Sequence, residues 1–210
     1  MCNLYNQTTA VEAMRGLFRG LDNRAGNIET GDVYPDRTAP IITREDEGHV
    51  LRSARWGMPS PAQYHSKSGI DLGVTNVRNT GSPHWRRWLG PEHRCLVPLE
   101  RFAEPRPGKG AGNAWFRVKE DRPAFFAGIW VPEWTSIRKL KDGETTDDLF
   151  AFLTCEPNAV VAPIHPKAMP VILTEAEELE AWLGAPWSDV KVLQRSLREE
   201  LLLQVDETKD

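Results

Sequence analysis

Residues 124–131 read AFFAGIWV. The run is short, apolar and rich in β-branched and aromatic side chains, the composition of a strand. The same signature recurs on both sides of it: TAPIITR at 38–44, HVLRSARWG at 49–57, RCLVPL at 94–99, AWFRVK at 114–119, LFAFLTC at 149–155 and MPVIL at 169–173. Strand follows strand with no β-α-β rhythm and no glycine-rich phosphate loop. The pattern predicts an α+β fold, a mostly antiparallel, barrel-like β core with peripheral helices.

Helical signals lie toward the ends. Thr9 and Glu12 form a capping box ahead of an apolar stripe of Val11, Met14, Leu17, Phe18 and Leu21, predicting a helix over Thr9–Leu21. SPHWRRWL at 82–89 starts with Ser then Pro, as a short helix does. Thr174 with Glu177 opens a helix to Leu183, and Ser188 caps a last one with Val190, Leu193, Leu197 and Leu201 on one face. Residues 23–32 and the Pro/Ser/Gly-rich stretch from Met58 to Gly73 read as loops, and VDETKD at 205–210 as a frayed tail. With no repeat or linker, residues 1–210 are expected to form one domain, its end (183–210) an acidic helix.

The totals fit this picture. Two hundred and ten residues, 40% hydrophobic with eight tryptophans, suffice for one domain with a sizeable core. No run of about 18 apolar residues predicts a membrane span. No basic start followed by an apolar stretch predicts a signal peptide, so the expected location is the cytoplasm. Cys2, Cys95 and Cys155 are odd in number and widely spaced, which argues against disulfides and a zinc site. Cys95 and Cys155 sit in strand-like runs and are expected to be buried. His49, His65, His84 and His93 lack ligand spacing, so neither a metal nor another cofactor is expected.

The net charge of −4 gives no global attraction to nucleic acid. Its distribution is uneven. Arg78, Arg86, Arg87, Arg94, Arg101, Arg106, Lys109, Arg117 and Lys119 face only Glu92, Glu100 and Glu104 over residues 78–119, whereas acids dominate from Thr174 onward. Such a middle is either a set of solvated strand edges or one cationic face. The aromatics interleaved in HWRRW and AWFRVK favour a face for unstacked bases.

The chain opens MCNLYNQTT. Trimming of Met1 would leave Cys2 with an α-amine of pKa roughly 7.7–8.0 and a thiol of roughly 8.5 on one carbon frame. An aldehyde would condense with the amine, and the thiol would close a five-membered thiazolidine ring. Alternatively, Cys2 is an untrimmed second residue with no role. Other polar candidates are few. Asn76 and Arg78 in TNVRNT share one side of an extended chain, Asn76 either orienting a substrate or making an Asx turn. Glu104 follows apolar Phe102 and Ala103, so it is either a carboxyl with a pKa raised by burial or half of a surface ion pair. His165, between Pro163 and Pro166, is either a proton shuttle or a structural loop residue.

Cys2, ARWGMPSP, TNVRNT, RCLVPLERFAEP, FFAGIW and IHPKAMPVIL occur in this order. Together they resemble the SRAP family, SOS-response-associated peptidases that sense abasic sites in single-stranded DNA. The likeness spans roughly residues 1–183. It implies a barrel-like core with a cleft for kinked single strand. It further implies a Cys2 that captures the ring-opened abasic sugar as a thiazolidine crosslink, with lyase and Met1-removing activities in reach. The catalytic set carried over is Cys2, Asn76, Glu104 and His165, and Arg78 is the phosphate-binding arginine. Trp56, Arg86 and Arg87 complete the expected DNA contacts. The partner implied is single-stranded DNA bearing abasic sites, with no membrane.

The chain departs from the family pattern at Asn3-Leu4, where Gly-Arg is usual, at Pro105, where tryptophan is usual, and in its acidic C-terminal segment. Two other readings compete. An N-terminal-nucleophile amidohydrolase also begins Met-Cys, but the Arg and Asn/Asp-Gly set for a glutamine substrate is missing. A noncatalytic single-strand binder would bind reversibly and salt-sensitively.

Overall fold

The computed structural model describes residues 2–7, 11–46, 48–119 and 122–205, without the side chains of 11–13. The first half of the chain forms β1 (Leu4–Gln7), α1 (Val11–Leu17), β2 (Asp22–Asn23), β3 (Gly31–Val33), β4 (Thr38–Glu45), β5 (Gly48–Trp56), β6 (Asn76–Val77) and α2 (Pro83–Arg86). The middle forms β7 (Arg94–Leu99), β8 (Arg101–Pro105), β9 (Asn113–Val118), β10 (Ala124–Ile137) and β11 (Glu144–Cys155). β12 (Met169–Pro170), β13 (Ile172–Leu173), α3 (Ala176–Gly184), α4 (Trp187–Val190) and β14 (Leu202–Val205) follow.

The α+β expectation holds. β10 pairs antiparallel with β11 and β7, β7 with β4, and β4 with β5. A short parallel pairing of β5 with β11 (Arg55↔Leu149, Trp56↔Phe150) closes these strands into a barrel. A second sheet, ordered β14-β9-β8-β1-β3, stands beside it.

AFFAGIWV is the first part of β10 and is buried throughout because both of its faces are covered. Phe126 stacks on Phe152 at 4.3 Å and meets Tyr5 of β1 edge-on at 5.5 Å, which ties the second sheet to the barrel. Its neighbour Phe125 points the other way, against Phe18 at 5.6 Å. Gly128 leaves room for a close approach: a Cβ there would lie 2.7 Å from Cys95 Sγ. Over this spot Trp182 of α3 donates its indole N–H to the carbonyls of Cys95 (3.0 Å) and Gly128 (3.2 Å). Beyond Val131 the register slips at Pro132 and Glu133, the latter at φ 46°, and the exposed half of β10 twists away. Cys95 and Cys155 are buried and free, as expected.

Three expected helices differ. α1 stops at Leu17; the chain turns at Gly20 (φ 71°), which leaves Leu17 exposed while Met14, Phe18 and Leu21 stay in the core. The Thr9–Glu12 cap and Val11's side chain lie outside the described residues. α3 starts without the expected box: Glu175 is the N-cap residue and makes no side-chain cap bond. The last helix shrinks to α4, after which the chain makes single 3₁₀ turns and ends in β14 on the edge of β9. Leu197 and Leu201 are buried as the apolar spacing demands. The open edge of β9 and a bond from Asn158 Nδ2 to the Leu197 carbonyl (2.9 Å) draw the backbone out of helical form. Val205 belongs to β14; residues 206–210 lie outside the described residues. No described helix is long and apolar enough to cross a membrane.

Candidate active site

Residues 2–7 carried no strand signal, yet β1 is buried along its length and runs between β3 and β8. Its register sets Leu4 opposite Ala103. Cys2, just before β1, therefore arrives beside the Phe102–Pro105 segment of β8. Asn6 holds the strand in place through Asp32 Oδ1 at 2.8 Å. Cys2 is fully buried, and its thiol donates to the Leu4 carbonyl at 3.3 Å.

Asn76 comes from the far side. β6 pairs in parallel with β11, Asn76 opposite Phe152, which brings the Met58–Gly73 loop back toward the N-terminus. Asn76 Nδ2 donates to the Cys2 carbonyl at 2.9 Å and to Thr75 Oγ1 at 2.8 Å. The Thr75 carbonyl in turn accepts the Trp56 indole N–H at 3.0 Å. An Asn amide, rather than an Asx turn, thus fixes Cys2.

Glu104 lies in β8 opposite Ala114, with no exposed surface. Burial pushes its pKa up, and the electrostatic pull of neighbouring groups, with His165 among them, does not overcome that rise. The surface ion-pair alternative is thereby set aside. Burial and, next, the Glu104 charge push the Cys2 thiol well above the ordinary cysteine range.

His165 sits at the end of a tight turn. Asn158 Oδ1 accepts the amides of Val160 and Val161 at 3.1 Å, and the Val161 carbonyl accepts the His165 amide at 2.9 Å. Its Nδ1 lies 2.8 Å from the Ala168 carbonyl and 3.1 Å from the Ala168 amide. This locks the ring by one edge. Four residues distant in sequence thus converge: Asn76 bonds Cys2, Glu104 acts on the Cys2 thiol, and His165 acts on Glu104.

The expected DNA contacts divide. Arg78, two residues past Asn76, is half-buried and pairs with Glu156, itself 81% exposed. Arg86 is exposed, its Nε donating to the Gly81 carbonyl at 3.1 Å. Arg87 is exposed and lies over the Trp88 ring at 3.9 Å and Trp134 at 5.7 Å. Trp56 does not offer a stacking face: it is 1% exposed, packed on Tyr5 and Phe152, and acts as a brace behind Asn76. Sequence reasoning missed Asn158, Glu156 and Gln194. Gln194 Nε2 donates to the carbonyls of Arg78 (2.8 Å) and Thr154 (3.0 Å). Only Asn158 had a local signal, an Asn ahead of a Pro-rich turn.

Fold and site define an α+β barrel protein with a buried cysteine at position 2, bonded by the Asn76 amide and under the electrostatic influence of a buried carboxyl. A family profile described as SOS response associated peptidase (SRAP) matches residues 1–207, and the chain belongs to that family. No curated protein matches the chain. Among solved structures it is similar to a protein from Bacteroides thetaiotaomicron, at 23% identity and TM-score 0.73, over 98% of this chain and 93% of that one. A Bordetella bronchiseptica protein shares 20% identity at TM-score 0.72, over 98% and 100% of the two chains. A phage-related protein of the same organism shares 21% at TM-score 0.67, over 98% and 95%. These likenesses establish the fold.

Proposed function

We propose that the mature protein, beginning at Cys2, captures abasic sites in single-stranded DNA as a covalent thiazolidine. The observation that carries this reading is the meeting of Asn76, Glu104 and Cys2: an amide at 2.9 Å fixes the Cys2 backbone, and the buried Glu104 carboxyl is near enough to act electrostatically on its thiol. Family membership supports it, since the family's name ties the chain to the response to DNA damage.

The amine freed by removal of Met1 attacks first, because only nitrogen can give the Schiff base on which the thiol then closes. It adds to the aldehyde carbon of the ring-opened sugar, and water leaves to give a Schiff base. Sulfur then adds to the carbon of this protonated Schiff base, the C=N electron pair passes to nitrogen, and the S–H proton returns to Glu104 as the ring closes. Glu104, its own pKa raised, donates the proton that lets water leave and takes the one from sulfur. His165 supports ring opening of the sugar, and Asn76 keeps the amine aimed at the carbon. β-Elimination from the Schiff base is the route to lyase activity.

Processed protein mixed with an oligonucleotide carrying one abasic site is expected to give a summed-mass species in denaturing mass spectrometry. Cys2→Ala and protein retaining Met1 should give none. If the processed parent and lesion separate cleanly, the covalent reading fails and a reversible single-strand binder is what remains.

A further inference from the structure

The acidic C-terminal segment builds a basic cleft. Thr80, Gly81 and Arg86 on one side and Trp187, Lys191 and Gln194 on the other line a cavity of about 530 Å³. That volume suits one nucleotide-sized ligand. Among the described residues its charged lining residues are Arg86 and Lys191, both cations. Lys191 and Arg86 are exposed, so neither cation is spent on a buried partner. Trp187 is half-buried and braced edge-on against Trp182 at 6.2 Å, which holds one ring at the wall. Asp189 of α4 is turned aside to Ser188 Oγ at 2.8 Å.

The cleft is coupled to the active site through Gln194. Its Nε2 holds the Arg78 carbonyl, and its Oε1 accepts the Thr80 hydroxyl at 2.9 Å. Residues 78–80 thus run as one short bridge from Arg78 to the cleft wall.

We infer that this cleft is a nucleotide subsite for single-stranded DNA, with Arg86 and Lys191 taking a backbone phosphate and Trp187 stacking on the adjoining base. The inference rests on the reading of the protein as a single-strand binder. It assigns grip on the strand to a segment that departs from the family pattern. Two cations and one aromatic plane are the elements such sites combine.

The test uses processed protein and a fluorescent lesion-free oligothymidine, with affinity read by anisotropy against salt. Trp187→Ala is expected to weaken binding by roughly tenfold. Lys191→Glu, on an exposed residue with little part in folding, is expected to lower the salt slope by about one or more. A competition arm with thymidine monophosphate separates the sources. If the variants lose the mononucleotide but hold the oligonucleotide at parental affinity, the cleft serves a free nucleotide and the inference is overturned. Equal affinity and slope for parent and both variants also overturns it. A parent that fails to crosslink while the variants still lose grip sinks the covalent function and leaves the subsite standing.

Discussion

Among the described residues two carboxyls lie almost wholly out of water, Asp71 and Glu104, and they are housed in opposite ways. Asp71 is surrounded by donors. Ser60 gives it a hydroxyl and an amide, Gly73 gives an amide at 2.8 Å, and Arg138 stands 4.0 Å away. Arg138 also donates to the carbonyls of Asp71 and Gly57, so one knot ties both ends of the loop that leads to Asn76. Glu104 sits between strands where burial outweighs every favourable charge. A satisfied buried charge organises the chain; an under-solvated one beside Cys2 suits the proton-transfer role proposed for Glu104. The two sites should therefore answer differently to loss of charge.

The largest effect is expected at Glu104. Glu104→Gln should slow crosslinking by roughly 10²–10⁴-fold, the usual worth of a general acid–base, with folding intact. Single-turnover gels measure this, and a parental rate would move the proton-transfer role elsewhere. Asp71→Ala should do the reverse. It strands Arg138, whose side chain is 3% exposed, and should cost about 3–5 kcal/mol of stability. The folded fraction should still crosslink when saturated with DNA. A collapse in that rate with unchanged melting would erase the distinction between the two carboxyls.

Gly73 tests the knot more gently. It holds φ 75°, and a Cβ there would meet the Arg138 guanidinium and lie 3.0 Å from Gly57 Cα. Gly73→Ala should cost roughly 1–3 kcal/mol in urea unfolding, by overpacking and left-handed strain together.

The pH response sharpens the contrast further. A carboxyl whose folded pKa is raised stabilises while protonated. That stability is whole below the ordinary value of 4.5 and is lost as pH rises through the raised one. Relative to parent, Glu104→Gln should gain stability across that window and gain nothing below it. Urea midpoints at a series of pH values show the sign directly; parallel curves would mean that Glu104 keeps its charge on folding at no cost.

Fold class was legible because β4, β5, β7, β10 and β11 announce themselves by composition. The site was legible because the chemistry-bearing types are few and Cys2 is unusual by position. What stayed hidden is tertiary. LYNQ is a strand because β3 and β8 supply partners for its buried Asn6 and Gln7, which no local pattern reveals. The C-terminal leucines have helical spacing, but the bare edge of β9 offers the backbone a better set of bonds. Trp56 looked like a base-stacking ring; the barrel seam with β11 closes over it. Arg138 and Asp71 lie far apart in sequence and carry no motif.

The smallest expected effect concerns the Arg78–Glu156 pair, the exposed counterpart of the buried knot. Exposed pairs are worth about 0.2–1 kcal/mol, so Glu156→Gln should leave melting unchanged. The same weakness suits the phosphate-binding role proposed for Arg78: an incoming strand need displace only an exposed carboxylate. Freeing Arg78 should therefore tighten binding of lesion-free single strand by about two- to fivefold, less at high salt, where screening already weakens the carboxylate. Arg78→Ala should act in the opposite sense, weakening affinity and lowering the salt slope by about one. If Glu156→Gln leaves affinity unchanged while Arg78→Ala weakens it, Glu156 is not a competitor of the phosphate but a hinge for the guanidinium. The exposed pair would then belong with the Asp71 knot, as scaffold rather than as a gate on the strand.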